Sequence, residues 1–153
     1  MMSDDEKFMR LALDEANAAR DRAEVPVGAV IVCGGKVIAK GRNLRESRQN
    51  ALMHAEIEAI NDACTVLGRW RLSGCTLYVT LEPCPMCAGA IVASRIDRVV
   101  IGARDRRAGA CGSVIDIFAC PFGHTPDVMS GVLEKECSDM LAGFFASVRQ
   151  NGV

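Results

Sequence analysis

Two short segments carry side chains that could do chemistry together. Met53-His54-Ala55-Glu56 offers an imidazole and a carboxylate, and Glu82-Pro83-Cys84-Pro85-Met86-Cys87 offers two thiols one helical turn apart. A catalytic zinc takes three protein ligands from His, Cys or carboxylate and keeps a fourth position for water. The Cys84 and Cys87 spacing brings both sulfurs to one side of a helix, and His54 supplies the third ligand. Both segments are expected at helix N-termini, where unpaired N–H groups and the macrodipole favour thiolate over thiol. Glu56 stands too close to His54 to be a further ligand from the same face, but it is placed to hydrogen-bond the metal's water. Zinc lowers the pKa of that water to about 7, and a carboxylate beside it can take the proton and deliver it elsewhere. Hydrolytic deamination of an aromatic amidine needs those two steps: hydroxide adds to the ring carbon, the ring nitrogen is protonated, and ammonia leaves. A structural zinc would want a fourth Cys or His, and a redox C-x-x-C pair has no use for His-x-Glu.

The elements that must hold these residues can be read from pattern. Residues 4–22 read as a helix with Ser3 as N-cap. Residues 25–33 are apolar and β-branched and read as a buried strand, Gly34-Gly35 as a hairpin turn, and 36–41 as the return strand. Residues 42–52 read as a polar loop and 55–67 as a helix with Ile57, Ile60, Ala63, Cys64 and Leu67 on one face. A strand over 75–81, a helix over 85–94 opened by Pro85, and a strand over 98–102 follow. Residues 104–112 form a Gly- and Arg-rich loop, 113–118 fit either a short helix or a strand, 128–130 an edge strand, and 132–149 a long helix. Strands alternating with helices after an opening hairpin predict an α/β sandwich around a mixed sheet.

The 153 residues are the length of one domain, and no repeat or linker divides them. The eight cysteines need a compartment. The chain opens on an acidic, polar segment, and its longest apolar run is far shorter than the roughly 20 residues of a membrane span. The expectation is a cytoplasmic protein without a membrane partner, its thiols reduced, six of them being small buried apolar residues.

His-x-Glu followed by Pro-Cys-x-x-Cys is the signature of zinc deaminases. Around it the chain resembles the bacterial tRNA-specific adenosine deaminases of the cytidine deaminase-like superfamily, from about Phe8 to Phe145. The resemblance is carried by Glu24-Val25-Pro26-Val27-Gly28-Ala29-Val30, Asn43-Leu44-Arg45-Glu46, His54-Ala55-Glu56, the segment from Thr80 to Ala90, Ser94-Arg95-Ile96, Gly102-Ala103-Arg104-Asp105 and Gly109-Ala110-Cys111-Gly112-Ser113. It implies a three-layer α/β/α fold with a five-stranded mixed sheet, a homodimer, and conversion of adenosine to inosine at the wobble position of a tRNA anticodon stem-loop. By the same resemblance His54, Cys84 and Cys87 hold one Zn2+ per chain and Glu56 shuttles protons. Asn43 contacts the target nucleoside, where the plainer reading is a loop Asn capping a turn. Val27, Gly28 and Ala29 form one wall of the base pocket, and Asp105 touches the flanking RNA, where the plainer reading is a salt bridge to Arg104 or Arg106.

The formal charge of −1 excludes a generic polybasic nucleic-acid binder but not a local basic patch. Residues 40–48 carry four basic side chains and one acidic, and residues 95–107 five and two, so each is locally +3. Residues 127–139 hold four acids and one Lys, a local −3. Relatives often end the last helix with a strongly basic tail, whereas here residues 144–153 hold a single Arg. Two rival readings share the zinc motif: a deaminase of free guanine or a pyrimidine nucleoside, and a non-catalytic zinc-binding partner subunit.

Overall fold

Alternation along the central strands builds a layer on each side of the sheet. The computed structural model describes residues 1–151; the last two residues of the weakly basic tail lie outside them. The strands are β1 (Gly28–Cys33), β2 (Lys36–Arg42), β3 (Cys75–Leu81), β4 (Arg98–Ala103) and β5 (Asp127–Ser130), in the order β2-β1-β3-β4-β5. The pairs β1/β2 and β1/β3 are antiparallel, while β3/β4 and β4/β5 are parallel. In β1, β3 and β4, Ala29, Ile31, Leu77, Val79, Val99 and Ile101 face one layer, and Val30, Val32, Tyr78 and Val100 face the other. This is the period of two that a strand imposes, and it gives the expected three-layer α/β/α arrangement with a five-stranded mixed sheet.

The first layer contains α3 (Ala55–Leu67) and α4 (Pro85–Ser94), which bury Ala55, Ala59, Ile60, Ala63, Ala88 and Ile91. The second contains α1 (Asp4–Arg20) and α5 (Glu134–Gln150). Helix α1 buries Met9, Ala12, Leu13, Ala16 and Ala19, and Ser3 caps it by accepting from the Glu6 amide at 3.1 Å. Helix α5 buries only Cys137. Phe144 and Phe145 meet each other edge to face at 5.4 Å, and Phe145 stays exposed.

The structure shifts some expected elements. The strand expected over 25–33 begins only at Gly28, because Val25 to Val27 makes a tight turn, with the Val27 amide on the Val25 carbonyl at 2.8 Å. The polar loop after β2 contains a one-turn helix, α2 (Arg45–Arg48). The ambiguous stretch before Cys120 holds a 3-10 turn, Ile117–Ala119. No helix among the described residues is long and apolar enough to cross a membrane.

One polar latch ties α1 to the sheet. Arg98 donates to both oxygens of Asp5 at 2.9 and 2.7 Å, and the Tyr78 hydroxyl donates to Asp5 Oδ1 at 2.8 Å. The Arg98 contact holds the Asp5 carboxyl below its ordinary value. A depressed carboxyl contributes stability that is present above its unfolded pKa of about 3.9 and is lost as pH falls through the folded value. Asp5→Asn should therefore cost about 1–2 kcal/mol at pH 7, with the gap to wild type closing below about pH 4. Chemical denaturation across pH 3–7 reads this out, and a gap independent of pH would show that the latch is not ionic.

Candidate active site

The chemically competent residues gather at one edge of the sheet, where β3 and β4 end and the antiparallel β1 begins. Crevices beyond the carboxyl ends of parallel strands are where open α/β sheets place ligands. His54 is the N-cap residue of α3 and Cys84 the N-cap residue of α4, and neither side chain makes a capping hydrogen bond. Both side chains are thus free to point at a common centre. Cys87, in the first turn of α4, is buried beside them. His54 Nδ1 lies 3.5 Å from Cys84 Sγ and 3.6 Å from Cys87 Sγ, and all three ligand atoms fall within 4.8 Å of one another.

These spacings fit zinc. Tetrahedral bonds of about 2.05 Å to nitrogen and 2.3 Å to sulfur put a ligating nitrogen and sulfur about 3.5–3.6 Å apart. The donor set of one imidazole and two thiols is a zinc set with an open fourth position. It is the one such cluster found among the described residues; Cys111, Cys120 and His124 form no second centre, and His124 Nε2 instead meets the Ile96 carbonyl at 2.7 Å.

Electrostatics prepare the same centre. The hydrogen bond with Cys87 and the His54 ring together bring the Cys84 thiol down to about 4, against the cost of burial. Cys87, donating to that thiolate and buried, is pushed far up. The Cys84 contact raises His54. Glu56, one position into α3 beyond Ala55, is almost fully buried, and desolvation lifts its carboxyl to about 7.

A cavity of about 170 Å³ opens over this centre. His54, Glu56 and Cys84 line its metal end. Val25, Val27, Asn43 and Arg45 contribute one wall, and Glu82, Asp105 and Ala108 belong to another part of the lining. Of the three residues expected to wall a base pocket, Val27 lines this cavity, and Gly28 and Ala29 are not in its lining. Gly28 faces α1 so closely that a Cβ would stand 2.0 Å from the Ala12 carbonyl oxygen. Ala29 points into the core between sheet and α3. The tight turn at Val25 explains this shift, because it delivers Val25 and Val27 to the cavity before the strand starts.

Asn43 lines the cavity and also caps a turn. Its Oδ1 accepts from the Arg45 amide at 3.1 Å and its Nδ2 donates to the Val25 carbonyl at 3.3 Å, leaving one donor and one acceptor direction of the amide. Asp105 lines the cavity as well. It makes no ion pair with Arg104 or Arg106 among the described residues; its Oδ1 accepts instead from the Arg107 and Ala108 amides at 2.9 and 3.2 Å.

The +3 stretch over 95–107 is split by β4. That strand separates Arg98 from Arg104 by about 20 Å at 3.3 Å per residue. Arg98 is held by Asp5, and Arg95 lies over the Trp70 ring at 5.9 Å. Arg106 and Arg107 follow the cavity residue Asp105 and are exposed, and Arg45 lines the cavity itself, whereas Arg104 and Arg48 line other cavities.

Three residues near the cavity gain a role only from the structure. Arg45 lines it directly. Glu24 is buried and accepts from the Glu46 and Ser47 amides at 3.0 and 2.6 Å, which holds α2 in place. Burial would raise its carboxyl, but the Ser47 and Glu46 donors outweigh that and hold it below the ordinary value. Glu82 is buried in the same way among donors from the loop after β4. A signal existed for both: each is an acid bounded by apolar or proline residues.

Comparison with known proteins agrees with the geometry. The cytidine and deoxycytidylate deaminase zinc-binding region matches residues 2–103. A tRNA-specific adenosine deaminase of Bacillus subtilis (strain 168) is 50% identical over 150 residues, 97% of this chain and 93% of that one. A solved structure from work on A-to-I editing by tRNA:A34 deaminases superposes with a TM-score of 0.86 at 48% identity, covering 88% of this chain and 99% of the other. A guanine deaminase structure from Bacillus subtilis gives 0.64 at 34% identity, covering 90% and 92%. Sequence, fold and ligand spacing therefore agree that the chain belongs to the zinc-binding cytidine and deoxycytidylate deaminase family, in its branch of tRNA-specific adenosine deaminases.

Proposed function

We propose that this protein deaminates adenosine to inosine at the wobble position of a tRNA anticodon. The observation that carries the reading is a zinc-spaced His54, Cys84 and Cys87 set with a buried carboxylate, Glu56, at the floor of one cavity. The identity to tRNA-specific relatives supports the substrate. His54 Nδ1 and the sulfurs of Cys84 and Cys87 would hold one zinc. When bound, zinc supplies a Lewis acid that makes its water nucleophilic at neutral pH.

The chain's own groups do the rest. Glu56 Oε would take a proton from the attacking water and deliver it to the purine ring nitrogen beside the reacting carbon, then take the proton left on the added oxygen and deliver it to the amino group, which departs as ammonia. A buried carboxyl whose desolvation favours the protonated form is suited both to accept and to donate a proton. The remaining donor and acceptor of Asn43 suit a flipped-out nucleoside, and Val27 gives the base an apolar neighbour. Asp105 lies where flanking RNA would pass. Arg45, Arg106 and Arg107 would meet phosphates, which position the substrate without specifying it. Extruding a base from a single-stranded loop costs less than from a duplex, which suits an anticodon. A second copy of the chain belongs to this reading. The expected compartment is the cytoplasm, where tRNA is.

The rival reading as a free-base deaminase draws support from the guanine deaminase neighbour. A non-catalytic subunit would have no need of the buried Glu56. A substrate panel separates these readings: an anticodon stem-loop with a wobble adenosine, free adenosine, guanine and cytidine, with ammonia release measured for each. Release from the stem-loop, weakening as salt displaces phosphate contacts, is the expected result. Release from guanine or cytidine alone would overturn the proposal.

A further inference from the structure

Glu82 is a carboxylate that the proposed chemistry does not use, and it is the most heavily engaged side chain near the cavity. It follows β3 directly and its side chain has no solvent exposure. Its Oε1 accepts from the Asp105 amide at 3.1 Å, and its Oε2 accepts from the Cys111 and Ser113 amides at 3.0 and 3.1 Å. The Ser113 hydroxyl also donates to Oε1, and Arg104 lies 3.8 Å away. All these donors belong to one segment, the loop that leaves β4. A Cβ on Gly109 would stand 2.5 Å from Glu82 Cδ and 2.4 Å from the Asp105 carbonyl oxygen, so the loop is wound tightly round this one carboxyl group. Pro83 adds a carbonyl that accepts from the Ala110 amide at 2.8 Å.

We propose that Glu82 is a positioning residue that fixes the substrate pocket by holding the loop of residues 104–113 against the end of β3. The proposal rests on the reading of the cavity as the substrate site. The loop puts Asp105 and Ala108 into the cavity lining, while Glu82 itself stands outside the ligand cluster. Burying a carboxylate is costly unless donors satisfy it. Here the donors are backbone N–H groups that would otherwise be orphaned inside a loop turned inward. A carboxylate has acceptor directions enough for all of them, because it carries no hydrogen of its own. The carboxamide of Gln would turn an NH2 toward a backbone N–H and push part of the loop away. Glu82 has no acceptor direction left over to exchange protons with substrate, so its contribution is to shape and affinity and not to the chemical step.

The test uses the full-length zinc-loaded enzyme and its Glu82→Gln and Ser113→Ala variants on the anticodon stem-loop. For Glu82→Gln, zinc content stays at the wild-type level and kcat stays within about threefold, while KM rises about tenfold or more, the size of losing one charged hydrogen bond. Amide exchange speeds up at residues 105–113 and not in β3 or α4. Ser113→Ala removes only the hydroxyl donor, keeps the fold, and raises KM by about threefold, the size of one weakened hydrogen bond. Loss of zinc or of kcat with KM unchanged would overturn the proposal, since Glu82 would then act on the metal loop. If Glu82→Gln does not fold, Ser113→Ala decides alone, and an unchanged KM would overturn the assignment. Should wild-type enzyme turn over another substrate of the panel instead, the functional reading falls. The same KM-against-kcat split, read on that substrate, still decides the role of Glu82.

Discussion

Glu56→Ala keeps its zinc and loses about 10²–10⁴-fold in turnover, the range that a positioned acid–base group supplies. The site geometry predicts both halves of this result. The three ligand atoms cluster without help from Glu56, so its removal leaves the metal's protein ligands in place. The carboxyl nevertheless lines the cavity, buried, at the start of α3. Of the other carboxylates in the lining, Glu82 has both oxygens engaged by loop donors, and Asp105 stands outside the ligand cluster with its Oδ1 held by the Arg107 and Ala108 amides. Glu56→Gln keeps the shape of the side chain and removes its basicity, so it should lose turnover to a similar degree. Metal analysis alongside single-turnover deamination of the stem-loop checks this. A Glu56→Ala enzyme at near wild-type rate would sink the proton-transfer role.

Cys87→Ala should cost zinc affinity more than about a hundredfold, beyond what disturbing a mere outer partner of a ligand costs, and abolish turnover. Cys87 is buried in the first turn of α4, and its sulfur is one of only three ligand atoms. No neighbouring His, Cys or carboxylate among the described residues lies close enough to complete the set. Binding to the native state alone stabilises a protein by mass action, about 2.7 kcal/mol at a hundredfold excess over Kd. A chelator should therefore lower the Tm of wild type and leave the Tm of Cys87→Ala unmoved. A variant that still binds zinc and responds to the chelator like wild type would remove Cys87 from the ligand set.

The readable parts of this chain are those whose determinants are local. Helices α3 and α4 and strand β3 lie where pattern places them, because Gly68 ends α3, Pro85 opens α4, and β3 is an apolar and β-branched run. The ligands and Glu56 are legible for the same reason: their spacing within a turn is itself the signal. Where a distant partner decides, sequence pattern misleads. Val25 and Val27 are apolar like strand residues, yet they turn into the cavity. Helix α2 hides in a polar stretch because its support is Glu24, more than twenty residues away. The loop after β4 reads as irregular because its organiser, Glu82, lies on another element. Helix α5 shows a clear apolar period, but period alone does not say that only Cys137 is buried. The local +3 over 95–107 conceals a strand that carries its two ends apart.

The two helices that meet at the centre start on His54 and Cys84, residues that leave their N-caps unmade. Ser, Thr, Asp or Asn at such positions would be worth about 0.5–2 kcal/mol per helix. Selection for stability alone would thus drift the motif toward ordinary caps and leave a sturdier protein with nothing to hold. The fold does not guard its own active site. Only continued demand for the product does, and an inactive descendant of this chain would be hard to tell from its parent by its fold.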